Sequence, residues 1–171
     1  GTNVLAPDEG LREVVICTKD ALTGLCDLGG GKLEAYAGET LSKTAVFARN
    51  LSLTGLEFAH GIPGTVGGGI YMNAGAYGGE MKQVAAQTTV LTMDGETRVF
   101  AGEAQGFAYR TSAFENLPVI IVKTVFQLAL GDKEEISARM QELMDKRRTS
   151  QPLELPSAGS TFKRPEGAFA G

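Results

Sequence analysis

The sequence predicts an α+β fold, and three observations support this prediction. Residues 119–130 form the strongest strand pattern, because apolar or β-branched side chains recur at every second position there. Residues 84–93 and 96–100 are two further strand patterns separated by Asp94-Gly95, a pair typical of a β-hairpin turn. After Gly131 the apolar spacing changes to that of a helix.

The first third of the chain predicts shorter strands. Residues 14–18 form a β-branched run, and residues 22–28 form a second candidate strand. Three consecutive glycines, 29–31, predict a turn, and the weak alternation over 32–37 predicts the strand that follows it.

Two helices are predicted from apolar spacing and capping residues. The first covers 40–51, with Thr40 as its N-cap. The second begins after Asp132, which has capping-box spacing to Glu135. Its C-terminal end is basic, which complements the helix dipole. Residues 149–156 are polar and bounded by proline, so we expect a loop there and a domain boundary near Gly131.

Composition excludes several classes of protein. The 171 residues are 43% hydrophobic and 21% charged, as in globular proteins and unlike disordered ones. A net charge of −4 and a pI near 5.1 argue against a broad nucleic-acid surface. No apolar run is long enough to span a membrane. The single histidine, His60, makes a histidine zinc site or a Ser-His-Asp triad improbable, so no metal is predicted.

The two cysteines predict neither a disulfide framework nor a redox motif. Cys17 and Cys26 are too far apart for a CxxC motif. We expect both to be small core residues in a reducing compartment.

Glycine is the unusual component of the sequence. There are 23 glycines, and eight of them fall within residues 61–79. Successive backbone N–H groups in such a stretch, ahead of a helix, suit a diphosphate. The stretch has neither a P-loop nor a Rossmann fingerprint. A tight turn that packs a short helix against a sheet explains the glycines equally well.

Three further motifs are each most simply loops when considered alone. Gly1-Thr2-Asn3 opens the chain, and Tyr109-Arg110-Thr111-Ser112 places an arginine where its planar group can bind a carboxylate. Residues 157–165 read SAGSTFKRP, with two cations following a Gly-Ser pair. Those cations could bind a phosphate or stabilise an oxyanion.

Together these motifs resemble the UDP-N-acetylenolpyruvoylglucosamine reductase family. The resemblance runs from GTNVLAPDEGLREVVI through GLEFAHGIPGTVGGGIYMNAGAYGGEM and YRTSAF to PSAGSTFKRPEGAFAG, which is nearly the whole chain. It implies an FAD-binding domain of the vanillyl-alcohol-oxidase (PCMH) type, second lobe, over residues 1–131. Residues 132–171 would begin an α/β substrate-binding domain.

The resemblance also implies roles for individual residues. Arg110 and Ser160 would be catalytic, while Tyr109, Lys163 and Arg164 would bind substrate. The implied cofactor-binding residues are Asn3, Gly61, Ile62, Pro63, Gly64, Thr65, Val66, Gly67 and Asn73. The family's smaller N-terminal flavin lobe and its later catalytic glutamate have no counterpart here, so we expect this chain alone to be inactive.

In the implied reaction NADPH reduces FAD, and hydride then passes to the enolpyruvyl ether of UDP-N-acetylglucosamine during peptidoglycan precursor synthesis. Arg110 would stabilise the developing charge and Ser160 would donate a proton. We expect a cytoplasmic monomer without nucleic-acid or membrane partners. Two alternatives stay open: a non-catalytic dinucleotide-binding module, and an FAD-dependent sugar or alcohol oxidase.

Overall fold

The computed structural model describes residues 1–155, 162, 165 and 167. Nine strands and three α-helices lie within these residues. In chain order the strands are β1 (Leu25–Gly29), β2 (Lys32–Tyr36), β3 (Leu53–Thr54), β4 (Gly75–Ala76), β5 (Gly79–Glu80), β6 (Ala85–Thr92), β7 (Thr97–Ala101), β8 (Val119–Gln127) and β9 (Ala129–Leu130). The helices are α1 (Leu41–Asn50), α2 (Val66–Tyr71) and α3 (Lys133–Ser150).

The main sheet has five antiparallel strands in the order β1-β2-β8-β6-β7. The long strand β8 occupies the centre and pairs with β2 and β6. The hairpin predicted at Asp94-Gly95 is confirmed as the β6–β7 connection, with Gly95 at φ +88°. Consecutive side chains of a strand point to opposite faces, so alternate residues of each strand share a face. One of the two faces of this sheet is packed against the core.

The core lies between that face and the three helices. Leu33 of β2 is opposite Phe126 of β8, which is opposite Ala85 of β6, and all three side chains are buried. Helix α3 adds Ile136, Met140 and Leu143 to the same hydrophobic cluster. The domain boundary at Gly131 stays a prediction, although α3 packs on the core that the preceding residues form.

Both predicted helix starts are confirmed. The Thr40 side chain accepts a hydrogen bond from the Lys43 N–H, and Asp132 accepts one from the Glu135 N–H. Helix α3 continues to Ser150 rather than ending before Thr149. The Thr149 and Ser150 hydroxyls donate to carbonyls of the preceding turn, so these polar residues extend the helix instead of opening a loop.

Three other expectations from the sequence were wrong. Residues 14–18 form no strand, because none of the described residues pairs with them, and the Val14 side chain is 92% exposed. The strand predicted over 119–130 ends at Gln127, because β9 leaves the main sheet and pairs with β3 instead. Cys17 and Cys26 are both exposed rather than buried, Cys17 in the unpaired N-terminal segment and Cys26 on the edge strand β1.

None of the helices in the described part of the chain has both the length and the apolarity needed to cross a membrane.

Candidate functional site

The glycine-rich segment connects a short 3-10 helix, Glu57–Ala59, to helix α2. Thr65 is the N-cap of α2, and its hydroxyl accepts a hydrogen bond from the Gly68 N–H at 3.4 Å. Helix α2 packs against β2 and β8 of the main sheet. The segment therefore matches both interpretations of the glycines: it leads into a helix N-terminus, and it packs a short helix on a sheet.

Several backbone amides of this segment are already used within the protein. The Val66 N–H donates to the Glu39 carbonyl and the Gly67 N–H to the Ala37 carbonyl, each at 2.8 Å. These acceptors could not be predicted, because the chain between β2 and α1 carries no motif. Within the described residues, the N–H groups of Gly61, Gly64 and Thr65 have no acceptor. These three amides are the donors that the segment can offer a ligand.

The start of the chain lies against the glycine segment. The Thr2 hydroxyl donates to the Pro63 carbonyl at 3.0 Å, across 61 residues of sequence. A Cβ on Gly64 would lie 3.3 Å from the Thr2 Oγ1. Gly64 also has φ +143°, a backbone conformation that residues other than glycine rarely adopt. The structure thus brings together two of the predicted cofactor-binding regions. Asn3, which directly follows Thr2 in the chain, is exposed.

Arg110 lies at the tip of a two-residue turn. Ala108 and Thr111 exchange both backbone hydrogen bonds, so Tyr109 and Arg110 are the two central residues. Arg110 has φ +57°, a left-handed conformation that costs a non-glycine residue about 1–3 kcal/mol. Its guanidinium carbon lies 5.9 Å from the centre of the Tyr109 ring, and both side chains are exposed.

Both sides of this turn are attached to the end of α2. The Ser112 hydroxyl donates to the Tyr71 carbonyl at 2.7 Å, and the Asn73 side-chain amide donates to the Ala108 carbonyl at 2.9 Å. Neither contact was predicted. The only signal in the sequence was an asparagine within a glycine-rich stretch, a residue that tolerates positive φ.

Asn73 was predicted to bind the cofactor, but its side chain is buried and fully engaged by the protein. Besides Ala108, the amide nitrogen donates to Glu80, and its oxygen accepts from the Lys82 N–H. A direct contact between this side chain and a cofactor stays a prediction to which the geometry lends no support.

The remaining predicted site residues differ in where they lie. Ile62 and Pro63 are on the glycine segment, with Ile62 packed against the core. Ser160, Lys163 and Arg164 lie outside the described residues.

His60 lies beside the glycine segment, with its Nδ1 3.3 Å from the Ser42 hydroxyl. Among the described residues no group of three His, Cys, Asp or Glu side chains could hold a metal ion.

Three groups with shifted pKa values lie outside these segments. A hydrogen bond from Lys123 to Glu34 raises the pKa of the Lys123 ammonium. The Thr92 hydroxyl lowers the pKa of Asp94 in the hairpin turn, and Lys146 with Arg139 lowers that of Glu142 on α3. These shifts reflect ion pairs and a turn, so they do not mark a second reactive site.

Residues 1–101 match the family model described as FAD binding domain. All 171 residues align with UDP-N-acetylenolpyruvoylglucosamine reductase from Shouchella clausii (strain KSM-K16) at 47% identity, covering 54% of that protein. A Bacillus anthracis protein, UDP-N-acetylenolpyruvoylglucosamine reductase 2, is 46% identical over the whole chain, which covers 55% of its length. The chain spans about half the length of the curated relatives it matches.

One solved structure has the same fold over most of the chain. The crystal structure of UDP-N-acetylenolpyruvylglucosamine reductase from Thermus caldophilus superimposes with a TM-score of 0.72 and 37% sequence identity. The match covers 85% of this chain and 52% of that one.

Proposed function

Since the chain belongs to the FAD-binding domain family, with the α+β fold of the PCMH type, we propose that it supplies the flavin-facing region of a reductase. The substrate would be the enolpyruvyl ether of UDP-N-acetylglucosamine, the product UDP-N-acetylmuramate, and the reductant NADPH. This reaction belongs to peptidoglycan precursor synthesis. The proposal rests on identity of about 45%, over the whole of this chain, to proteins that carry the reductase name.

The glycine segment fits an FAD diphosphate. It offers the amides of Gly61, Gly64 and Thr65, which have no acceptor among the described residues. The segment has no cation of its own, although the Arg147 side chain of α3 lies against Gly61. A diphosphate would therefore be held by these backbone N–H groups ahead of α2. The Val66 and Gly67 amides bind the protein itself, so they would shape the loop rather than contact the phosphates.

The observation that carries the catalytic part of the proposal is the conformation of Arg110. Its left-handed φ of +57°, at the tip of a turn attached to α2, costs about 1–3 kcal/mol. The Arg110 side chain at this turn is exposed, so it is accessible to a ligand. Strained backbone held in place by its surroundings is typical of functional sites.

FAD, when bound, would supply the hydride that reaches the vinyl terminus of the substrate. The planar Arg110 guanidinium would hold the neighbouring carboxylate and stabilise negative charge that develops beside it. Tyr109 would line the same face. Ser160 would deliver the proton, and Lys163 and Arg164 would either bind substrate phosphates or stabilise the serine as it loses its proton.

Several other assignments belong to this proposal. Residues 1–131 would form the flavin domain and residues 132–171 would begin the substrate domain. We propose a cytoplasmic monomer that binds a UDP-sugar. A domain that bound a dinucleotide without catalysis would have no need of a strained arginine, so the turn favours the reductase.

The proposal is tested by separating the two half-reactions in the complete protein with Arg110→Ala. We expect normal FAD content and normal flavin reduction by NADPH, because Arg110 is proposed to act on charge that develops later. Reoxidation by the enolpyruvyl substrate should be slowed by a factor of about 10²–10³. Stopped-flow absorbance follows both steps.

Arg98→Ala is the matched control, since Arg98 is an exposed arginine of the β6–β7 hairpin that forms an ion pair with Glu96. It should leave both half-reactions unchanged. A defect of Arg110→Ala that is confined to flavin reduction would contradict the role proposed for Arg110. Failure of the complete protein to reduce the substrate at all would contradict the function.

A further inference from the structure

We infer that Asn73 is a positioning residue that holds Arg110 in its strained turn, an inference that rests on the function proposed for Arg110. Asn73 lies two residues after the end of α2, and Ala108 is the first residue of the Arg110 turn. The Asn73 side-chain amide nitrogen lies 2.9 Å from the Ala108 carbonyl oxygen. This bond joins segments that are 35 residues apart in sequence.

The carbonyl that Asn73 binds is the one that closes the turn. The Ala108 oxygen also accepts a hydrogen bond from the Thr111 N–H at 3.3 Å. Ala108 precedes the two central residues of the turn and Thr111 follows them. Displacement of the Ala108 carbonyl would therefore weaken the hydrogen bond that closes the turn around Arg110. Without the Asn73 bond the turn would be attached to α2 on one side only, through Ser112, so the strain at Arg110, with φ +57°, could ease.

Asn73 itself is fixed in one orientation. Its second amide hydrogen points to the Glu80 carboxylate at 3.0 Å, and its oxygen accepts from the Lys82 N–H at 2.9 Å. The residue is 2% exposed, so water does not compete for these bonds. An aspartate could make the contact with the Lys82 amide but would offer an oxygen, in place of a donor, to Ala108 and Glu80.

The arrangement connects the glycine segment to the arginine. Helix α2 begins at the segment proposed to hold the diphosphate, and its C-terminal end carries Asn73 and the Tyr71 carbonyl that binds Ser112. The position of the Arg110 turn relative to a ligand on the glycine segment would thus be set through α2 and two hydrogen bonds. Displacement of a reacting group by about 1 Å can reduce a rate by about 10²-fold.

The first test measures the turn directly by amide hydrogen exchange of the complete protein. The variant is Asn73→Asp, which keeps the size of the side chain and its tolerance of positive φ. We expect the Ala108 and Thr111 amides to exchange at least about 10-fold faster, while the Gln127 amide, bound to the Val84 carbonyl in the sheet, is unchanged. Asn116→Asp introduces the same charge at an exposed site and should change none of them.

Asn73→Gly is the second variant. It accommodates φ +43° and removes the hydrogen bonds without adding charge, so it tests the inference even where the aspartate prevents folding. Unchanged exchange at Thr111 in a folded Asn73 variant would overturn the inference, whatever the activity of the protein.

The second test is kinetic. In Asn73→Asp we expect kcat to fall about 10²-fold, with flavin reduction by NADPH unchanged and KM altered far less than kcat. Combined with Arg110→Ala, it should cause no further loss, because both changes remove the same contribution. Additive losses would overturn the inference. Full activity of Arg110→Ala would instead refute the proposed function, and the exchange experiment would still decide whether Asn73 holds the turn.

Discussion

The Gly67 N–H donates to the Ala37 carbonyl at 2.8 Å, and a Cβ on Gly67 would lie only 2.9 Å from the Ala37 Cβ. Helix α2 therefore begins in contact with the chain just beyond β2. At Gly67 the absence of a side chain is required for packing. Gly67 is thus a packing residue of the glycine segment, and its amide is already engaged by the protein.

Gly64→Val tests the ligand-contacting part of the segment. Valine cannot adopt φ +143° without strain, and its Cβ would press on the Thr2 hydroxyl that binds the Pro63 carbonyl. We expect weaker FAD binding in the complete protein, measured by titration of flavin fluorescence. Gly95→Val places the same residue at positive φ in the β6–β7 turn and should leave FAD affinity unchanged. Equal affinities of the two variants would contradict the assignment.

Met140→Ala tests whether α3 and the sheet unfold together. Met140 is 4% exposed in the shared core, so its truncation should lower the free energy of unfolding by about 2–5 kcal/mol. Met93→Ala is the control, because Met93 is 73% exposed and should change stability by less than about 0.5 kcal/mol. Urea unfolding should show one transition. Separate transitions for α3 and the sheet would instead support independent units divided near Gly131.

The Lys123–Glu34 ion pair predicts a loss of stability at high pH. The two charged atoms are 2.9 Å apart on neighbouring strands, and the pKa of Lys123 is raised above its ordinary 10.5. Protonated Lys123 therefore favours the folded state, so the stabilisation is complete below pH 10.5 and disappears as pH rises through the higher folded-state value.

A double-mutant cycle with Lys123→Met and Glu34→Gln measures this effect. We expect a coupling free energy of at most about 1 kcal/mol at pH 8, decreasing towards zero as Lys123 loses its proton. The Arg98–Glu96 pair is the control, since arginine stays protonated over this range. A coupling that grows with pH would contradict the sign of the shift.

Ser160→Ala tests the proposed proton donor in the complete protein. Flavin reduction by NADPH should be unaffected, and substrate turnover should fall by about 10²–10⁴-fold, the range typical of general acid catalysis. Ser160→Cys should recover part of the rate, because a thiol also donates a proton. Normal turnover of the alanine variant would remove Ser160 from the mechanism.

Local patterns were sufficient to predict much of this fold. The Asp94-Gly95 turn, the Thr40 and Asp132 caps and the short helix after the glycine segment all depend on residues within a few positions of one another. Such features follow from backbone preferences and short-range hydrogen bonds. The resemblance of the four motifs to a reductase family also came from the sequence, and the comparisons confirm it.

Tertiary structure decided what local patterns could not. The β-branched run at 14–18 remains unpaired because a strand needs a partner, which its own sequence does not specify. The Val66 and Gly67 amides are engaged by carbonyls from a different part of the chain. Likewise, the strained conformation of Arg110 is maintained from Asn73 and Tyr71, more than thirty residues earlier. Periodicity and motif spacing report neighbours along the chain, whereas these contacts exist only after distant segments have packed.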